Sequence, residues 1–376
     1  MNTNLFDNVQ IVEVSPIKDL PSNVAKISVI GIGGGGCNMI NHMINEGINH
    51  RINLIAANTD LRALQLSTAP TRIQLGKVLT EGLGAGMKPE IGREAAIESY
   101  ELLKEALEGS NIVFVAAGLG GGTGTGAASI AVSAAKEVGA ITVVVVTKPF
   151  AWEQNHRAAL ANLGLEELKK VSDSVIVIQN DKLMEVVNDE VGIEDAFKVV
   201  DNVLYKAVSG ISDVILSAAD KGINTDFADL KTIMEYKGLA LMSVGYAKGE
   251  DAAYKAFENA IESPLLEKMP LDSAKGLLIH FRISPKIPMS VIGSVMTMLN
   301  QKIDSYTKVI FGTTVDKNID KDEVSIMLIA TGFEAQEQPR PSPKPINNPA
   351  GSTDDEDDYY DIPPLMRNYS IRFAIG

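Results

Sequence analysis

The chain has 376 residues, of which 45% are hydrophobic and 22% charged, an ordinary composition for a globular protein of about two domains. Cys37 is the only cysteine, which excludes a disulfide framework, and no apolar run approaches the ~20 residues of a membrane span. The net charge of −14 and the lack of Lys/Arg clusters argue against nucleic acid as a partner. The amino terminus has no basic start followed by an apolar stretch, so no export signal is visible and a cytoplasmic location is expected. His42, His50, His156 and His280 are scattered, and none sits at metal-ligand spacing with another histidine or with Cys37. No protein metal site is expected.

Residues 1–23 are polar and read as a flexible extension. Lys26–Ile32 is a Val/Ile-rich run closed by glycines and predicts a buried strand. A helix at Asn38–Glu46 and a strand at Ile52–Ala57 follow. Over Arg93–Glu108, Ile97, Tyr100, Leu103 and Leu107 recur at spacings of three and four. That predicts one amphipathic helix with all four facing inward, ending near Gly109. Strands at Asn111–Ala117, Ile141–Thr147 and Ser174–Gln179 alternate with helices at Thr125–Val138 and Asn155–Lys170. Continuous apolar strands separated by helices predict an α/β fold with a parallel sheet covered on both faces.

Ile193–Ser217 predicts a long helix, after which the texture changes. Strands at Leu239–Ala247, Gly276–Ile283, Lys308–Thr314 and Val324–Ala330, interleaved with helices at Ala252–Glu262 and Met289–Lys302, predict a smaller α/β domain. The expected division is therefore a first domain over 24–192, a central helix over 193–221 and a second domain over 222–333. Five prolines between Pro339 and Pro349 mark a disordered linker, 334–358. The last segment, 359–376, turns apolar again at Tyr359–Met366, which suits either a docking peptide or a chain end without function.

Glycines concentrate at strand ends. Gly31-Ile32-Gly33-Gly34-Gly35-Gly36-Cys37-Asn38 joins a strand to a helix, where backbone N–H groups can crowd against an anion. It also satisfies G-x-G-x-x-G, which a tight turn would explain equally well. Gly118–Gly126 reads GLGGGTGTG, again between strand and helix, and Thr123 and Thr125 add hydroxyl donors. A third stretch, Gly82–Gly86, could close over a terminal phosphate. Several such loops suit a triphosphate better than the single pyrophosphate loop of a Rossmann enzyme, and no G-x-x-x-x-G-K-[ST] occurs.

GGGTGTG at Gly120–Gly126 is the signature of the tubulin/FtsZ GTPase family, and the chain resembles its bacterial cell-division members over about residues 25–333 and again in the tail. The resemblance implies a GTP-binding domain, a long central helix and a smaller domain. It implies GTP/GDP as ligand with Mg2+ on the nucleotide, and head-to-tail self-assembly into the cytokinetic (Z) ring at the septum. By the same resemblance Gly34, Gly35, Gly36, Cys37 and Asn38 hold phosphates, with Asn38 reaching the guanine. Ala57–Asp60 lies near magnesium, and Gly84, Ala85 and Gly86 sense the γ-phosphate. Gly121, Gly122, Thr123 and Gly124 form the signature loop, and Glu153 and Arg157 contact the ribose and phosphate side. Phe197 and Asp201, at i and i+4 on one helix face, stack on guanine and accept from its N1–H and amino group. Taken singly, Phe197 also fits a core position and Asp201 a solvated helix face.

Asn224, Asp226 and Asp229 resemble the family's catalytic N-x-D-x-x-D, acting on the neighbouring subunit's γ-phosphate. The same aspartates could instead cap a helix. Asp361–Arg367 resembles the peptide that binds membrane-tethering and regulatory division proteins, with no direct membrane insertion. Cys37, where the family often has another small residue, is expected to make the site sensitive to thiol reagents. Trp152 stands where phenylalanine is usual, and nine residues follow Arg367. Two other readings stay open. An NAD-dependent dehydrogenase would want an acidic residue ending the second strand, where the sequence has Ala56-Ala57-Asn58. A non-catalytic nucleotide-binding scaffold would leave Asp226 and Asp229 without a use.

Overall fold

Short runs of β-branched and small apolar residues, buried on both faces, build the central sheet. The computed structural model describes residues 25–184, 192–221, 227–236, 239–263, 271–317 and 319–333; the extension, the linker, the tail peptide, Asn224 and Asp226 lie outside them. Strands β1 (Ile27–Ile32), β2 (Ile52–Asn58), β3 (Thr71–Gln74), β4 (Ile112–Gly118), β5 (Ile141–Lys148) and β6 (Ser174–Gln179) pair in parallel in the order β3-β2-β1-β4-β5-β6. Alternation along β1 divides its side chains between two cores. Ile27 and Val29 join the core of α1 (Gly33–Asn45) and the long helix α9 (Ile193–Lys221). Ile30 and Ile32 join the core of α4 (Pro89–Glu98), α5 (Tyr100–Leu107), α6 (Thr123–Glu137) and α7 (Asn155–Val171).

The remaining strands are β7 (Leu239–Lys248), β8 (Gly276–Ile283), β9 (Lys308–Val315) and β10 (Glu323–Thr331). They continue the sheet in the order β7-β10-β8-β9, with β7 joined to β6 through Val175↔Leu239 and Ile176↔Ala240. β10 runs antiparallel to β7 and β8, whereas β8 and β9 are parallel. The segment 316–322 is too short for the crossover a parallel return would need, so β10 must run back. Helices α11 (Ala252–Ile261) and α12 (Met289–Asn300) cover this part around Phe257, Phe281 and Leu328. Short helices α2 (Leu61–Leu66), α3 (Lys77–Thr80) and α8 (Asn180–Met184) fill connections, and α10 (Phe227–Met234) opens the segment after α9. No described helix is long and apolar enough to cross a membrane.

Two local expectations change. The glycines after β1 are not a loop ahead of a helix at Asn38, because α1 begins at Gly33. The expected single helix at Arg93–Glu108 is two, broken at Ser99. The Ser99 hydroxyl accepts from Gly76 N (3.0 Å) and donates to Gln74 O (3.4 Å), so the break is tied to the chain leaving β3. α4 buries Gly92, Ala95 and Ala96 and leaves Ile97 outward, 53% exposed, whereas Leu103 and Leu107 on α5 are buried as expected.

Candidate functional site

From β1 the chain goes to β2 and β3 on one side and returns to β4 on the other. At such a switch point the connections after the two strands part, leaving a crevice outside the carboxyl ends. Both glycine-rich segments begin there, one entering α1 and the other α6. Each presents the free N–H groups and positive end of a helix to the crevice.

The glycines fall into two groups. A Cβ on Gly31 would lie 2.2 Å from Gly36 O, one on Gly36 would lie 2.5 Å from Ala116 O, and one on Gly124 would lie 2.3 Å from Gly118 O. Those glycines let the segments lie against the strands. Gly35 and Gly122 also join segments, since their Cβ positions are 3.2 Å from Gly118 N and 2.8 Å from the Ala85 Cβ. Gly34 and Gly121 differ. Nothing lies within 4 Å of a Cβ at either, and neither has a left-handed φ. Neither packing nor conformation within the protein demands glycine there; an approaching phosphate would. Gly86, in the third stretch, is open too, but its φ of +55° already favours glycine.

Hydrogen bonds tie the signature loop and the third stretch to the turn after β2, and brace each of the two locally. Thr123 Oγ1 lies 2.6 Å from Thr59 Oγ1, and Gly120 N donates to Thr125 Oγ1 (2.9 Å). Leu61 N donates to Gly82 O (3.0 Å), and Lys88 N to Ala85 O (3.0 Å). Asp60 Oδ1 accepts from Arg62 N (2.8 Å) and Ala63 N (3.1 Å) and caps α2. No group of three or more His, Cys, Asp or Glu side chains able to hold a metal occurs among the described residues.

Aromatic rings gather between the turn after β5 and the start of α9. Phe150 stacks on Trp152 (centroids 5.2 Å apart, planes 14°) and meets Phe197 edge-on (5.6 Å, 80°). Phe197 is 42% exposed, so it is not the core residue that its type alone would suggest. One turn on, Asp201 is half-buried and accepts no hydrogen bond among the described residues, and burial pushes its carboxyl up to about 7. An aromatic face free to stack and a carboxylate short of donors fit a guanine base. Asn38 is exposed on α1, which packs against α9 with His42 edge-on to Tyr205 (6.0 Å). Arg157 Nη1 donates to Glu153 Oε2 (2.6 Å), and Phe150 N donates to Glu153 Oε1 (3.0 Å). Glu153 thus holds both the arginine and the aromatic turn. Phe150 was not singled out from sequence, although two aromatics beside one strand end stand out in a chain with 5% aromatics.

Cys37 corrects an expectation. Its side chain is buried beside Gly31 O (4.0 Å) and Ala57 O (3.9 Å), and desolvation pushes the thiol up to about 12. A buried, protonated thiol is inert, so the expected sensitivity to thiol reagents does not hold. Its backbone alone is available to a phosphate. Of the three expected catalytic residues, Asn224 and Asp226 lie outside the described residues. Asp229 belongs to α10, which follows α9 in the chain.

Comparison with known proteins agrees with this architecture. Residues 26–188 match the family described as Tubulin/FtsZ family, GTPase domain, and residues 238–334 match FtsZ family, C-terminal domain. The chain is 44% identical to cell division protein FtsZ of Neisseria gonorrhoeae, over 85% of this chain and 81% of the relative. It is 42% identical to the protein of the same name from Helicobacter pylori, over 87% and 84% of the two chains. Among solved structures, an empty FtsZ dimer of M. jannaschii superposes with a TM-score of 0.77 at 42% identity, covering 82% of this chain and 88% of that one. With both of its parts matched and its crevice built from the signature loop, the chain belongs to the tubulin/FtsZ family of GTPases, in its FtsZ branch.

Proposed function

We propose that this chain is a GTP-hydrolysing cell-division protein that stacks head to tail into filaments at the septum, and that each active site is completed by the next subunit. The glycine segments after β1 and β4 hold the phosphates, Mg2+ travels with them, and Phe197 and Asp201 hold the guanine. The attacking water is oriented by Asp226 and Asp229, with Asn224 beside them, from the neighbouring copy. This family assignment favours GTP hydrolysis over the dehydrogenase and scaffold readings.

One observation carries the proposal: the direction and length of α9. Its start lies at the nucleoside end, where Phe197 meets Phe150. Its 29 residues then run about 44 Å at ~1.5 Å per residue before the chain reaches α10. Carboxylates delivered there are beyond reach of the chain's own γ-phosphate, but a stacked copy would bring them to its neighbour's. Such heterologous contacts build open filaments. Water orientation in trans is sufficient chemistry, because phosphoryl transfer depends mainly on positioning and electrostatics. The test is GTP turnover per molecule against protein concentration, followed alongside sedimentation. Turnover should be near zero below a threshold and rise steeply with assembly. Specific activity that stays flat through the threshold defeats the proposal.

The tail has a separate role under this reading. Asp361–Arg367 would dock on membrane-tethering or regulatory division proteins, with Ile362, Leu365 and Met366 as apolar anchors and the prolines lowering the entropy lost on binding. A chain ending at Phe333 should keep GTPase activity and assembly within about twofold yet lose co-sedimentation with a tethering protein. Retained co-sedimentation would rule out the tail as the docking segment.

A further inference from the structure

Thr59 follows β2 directly and is fully buried. Its hydroxyl lies 2.6 Å from that of Thr123, the first residue of α6, although the two are 64 positions apart in the chain. Its carbonyl faces the Thr80 hydroxyl at 3.4 Å, and Thr80, which ends α3, also donates to Gly76 O (2.9 Å). Thr59 therefore sits between the signature loop and the stretch that leads to Gly82–Gly86. Being buried, it cannot itself touch a ligand in the crevice.

Proton counting gives the pair a direction. Each hydroxyl has one proton and can accept as well as donate. A phosphate oxygen only accepts, so when Thr123 faces one, its proton must point outward. The proton between the two oxygens must then come from Thr59. We propose that Thr59 is a positioning residue, whose buried hydroxyl donates to Thr123 Oγ1 and so aims the Thr123 O–H at a phosphate oxygen of the bound nucleotide. A hydroxyl that accepts such a bond is also a stronger donor, since hydrogen-bonded chains polarise one another. The inference rests on Thr123 being a phosphate contact.

The experiment is a double-mutant cycle on GTP affinity, with kcat and KM measured above the assembly threshold. Thr59→Val keeps the side-chain shape and removes the hydroxyl. It should weaken GTP binding about tenfold, the scale of one hydrogen bond to a charged group. Thr59→Ser should stay within about twofold of wild type. In a Thr123→Val background, Thr59→Val should add less than about twofold, because there is no longer a hydroxyl to orient. A residue that merely packs the core would give additive losses and no rescue by serine. Should the valine variant fail to fold, Thr59→Ser and Thr59→Ala both lack the methyl and differ only in the hydroxyl, so the alanine variant alone should show the loss. Additive losses, or serine and alanine behaving alike, overturn the proposal. Thr123→Val binding GTP as tightly as wild type removes the phosphate contact and with it both readings. Weak binding by Thr123→Val beside a silent Thr59→Val removes the positioning role alone.

Discussion

Asp226→Ala and Asp229→Ala should each bind GTP with near wild-type affinity and form filaments, yet hydrolyse at least about 100-fold more slowly, the scale of a lost water-activating group. Binding should survive because Phe197 and Asp201 lie in the first turns of α9, whereas Asp226 and Asp229 follow its last residue. Assembly should survive because removing one carboxylate leaves the rest of the contact surface in place. Filaments of either variant should therefore outlive those of wild type. The decisive measurement is complementation. An Asp201→Ala chain that cannot hold GTP but keeps Asp226 and Asp229 should raise turnover when mixed with either variant, because its carboxylates serve the neighbour's nucleotide. Additive turnover at every mixing ratio, under conditions where the two chains co-assemble, would show that each site is complete within one chain.

The second large effect concerns the base. If Asp201 holds the base as proposed, GTP should bind about 10⁴-fold more tightly than ATP, because adenine does not present together the two donors that guanine would offer it, and a buried carboxylate left without them is costly. The acid–base behaviour of Asp201 supplies an independent readout. Burial raises its carboxyl from an ordinary 3.8 to about 7, so the nucleotide-free fold favours the neutral acid. Its contribution to stability is fully present below pH ~4 and is lost as pH rises through ~7, worth at most about 4 kcal/mol. Asp213, raised to about 6, acts in the same sense, whereas His280, held down to about 4 by burial, loses its contribution as pH falls from ~6.5. Comparison with Asp201→Asn isolates the one group. The variant should gain stability over wild type as pH rises from 4 to 8 and should lose the preference for GTP. In the wild type, guanine recruits the ionised form, so GTP binding should release a proton near pH 6 and weaken as pH falls further. Equal affinity for the two nucleotides would remove Asp201 from the base contact, whereas a pH-independent stability difference between wild type and variant would refute the raised carboxyl.

The alternation of β-branched runs with helices was legible from the residues themselves. So were the glycine segments at strand ends and the Phe197–Asp201 spacing, because strand and helix periods and the backbone freedom of glycine are properties of neighbours in the chain. What those neighbours cannot encode is which distant segment meets them. Ile97 has the spacing of an inward residue, yet the helix breaks at Ser99, whose hydroxyl accepts from Gly76 N and donates to Gln74 O, and Ile97 is left facing solvent. Cys37 stands among phosphate-loop glycines, yet α1 starts early enough to point its thiol into the core against Ala57. Gly31 and Gly34 are the same residue within one motif. Only the approach of Gly36 distinguishes a glycine that packing requires from one that the fold leaves open to the crevice. Thr59 and Thr123 lie 64 residues apart, and nothing in the sequence pairs their hydroxyls until the parallel order β2-β1-β4 brings the ends of two strands together. Burial and hydrogen-bond partnership are set by sheet order and helix seating, which sum contacts over the whole chain, and that is why they emerged only with the tertiary structure.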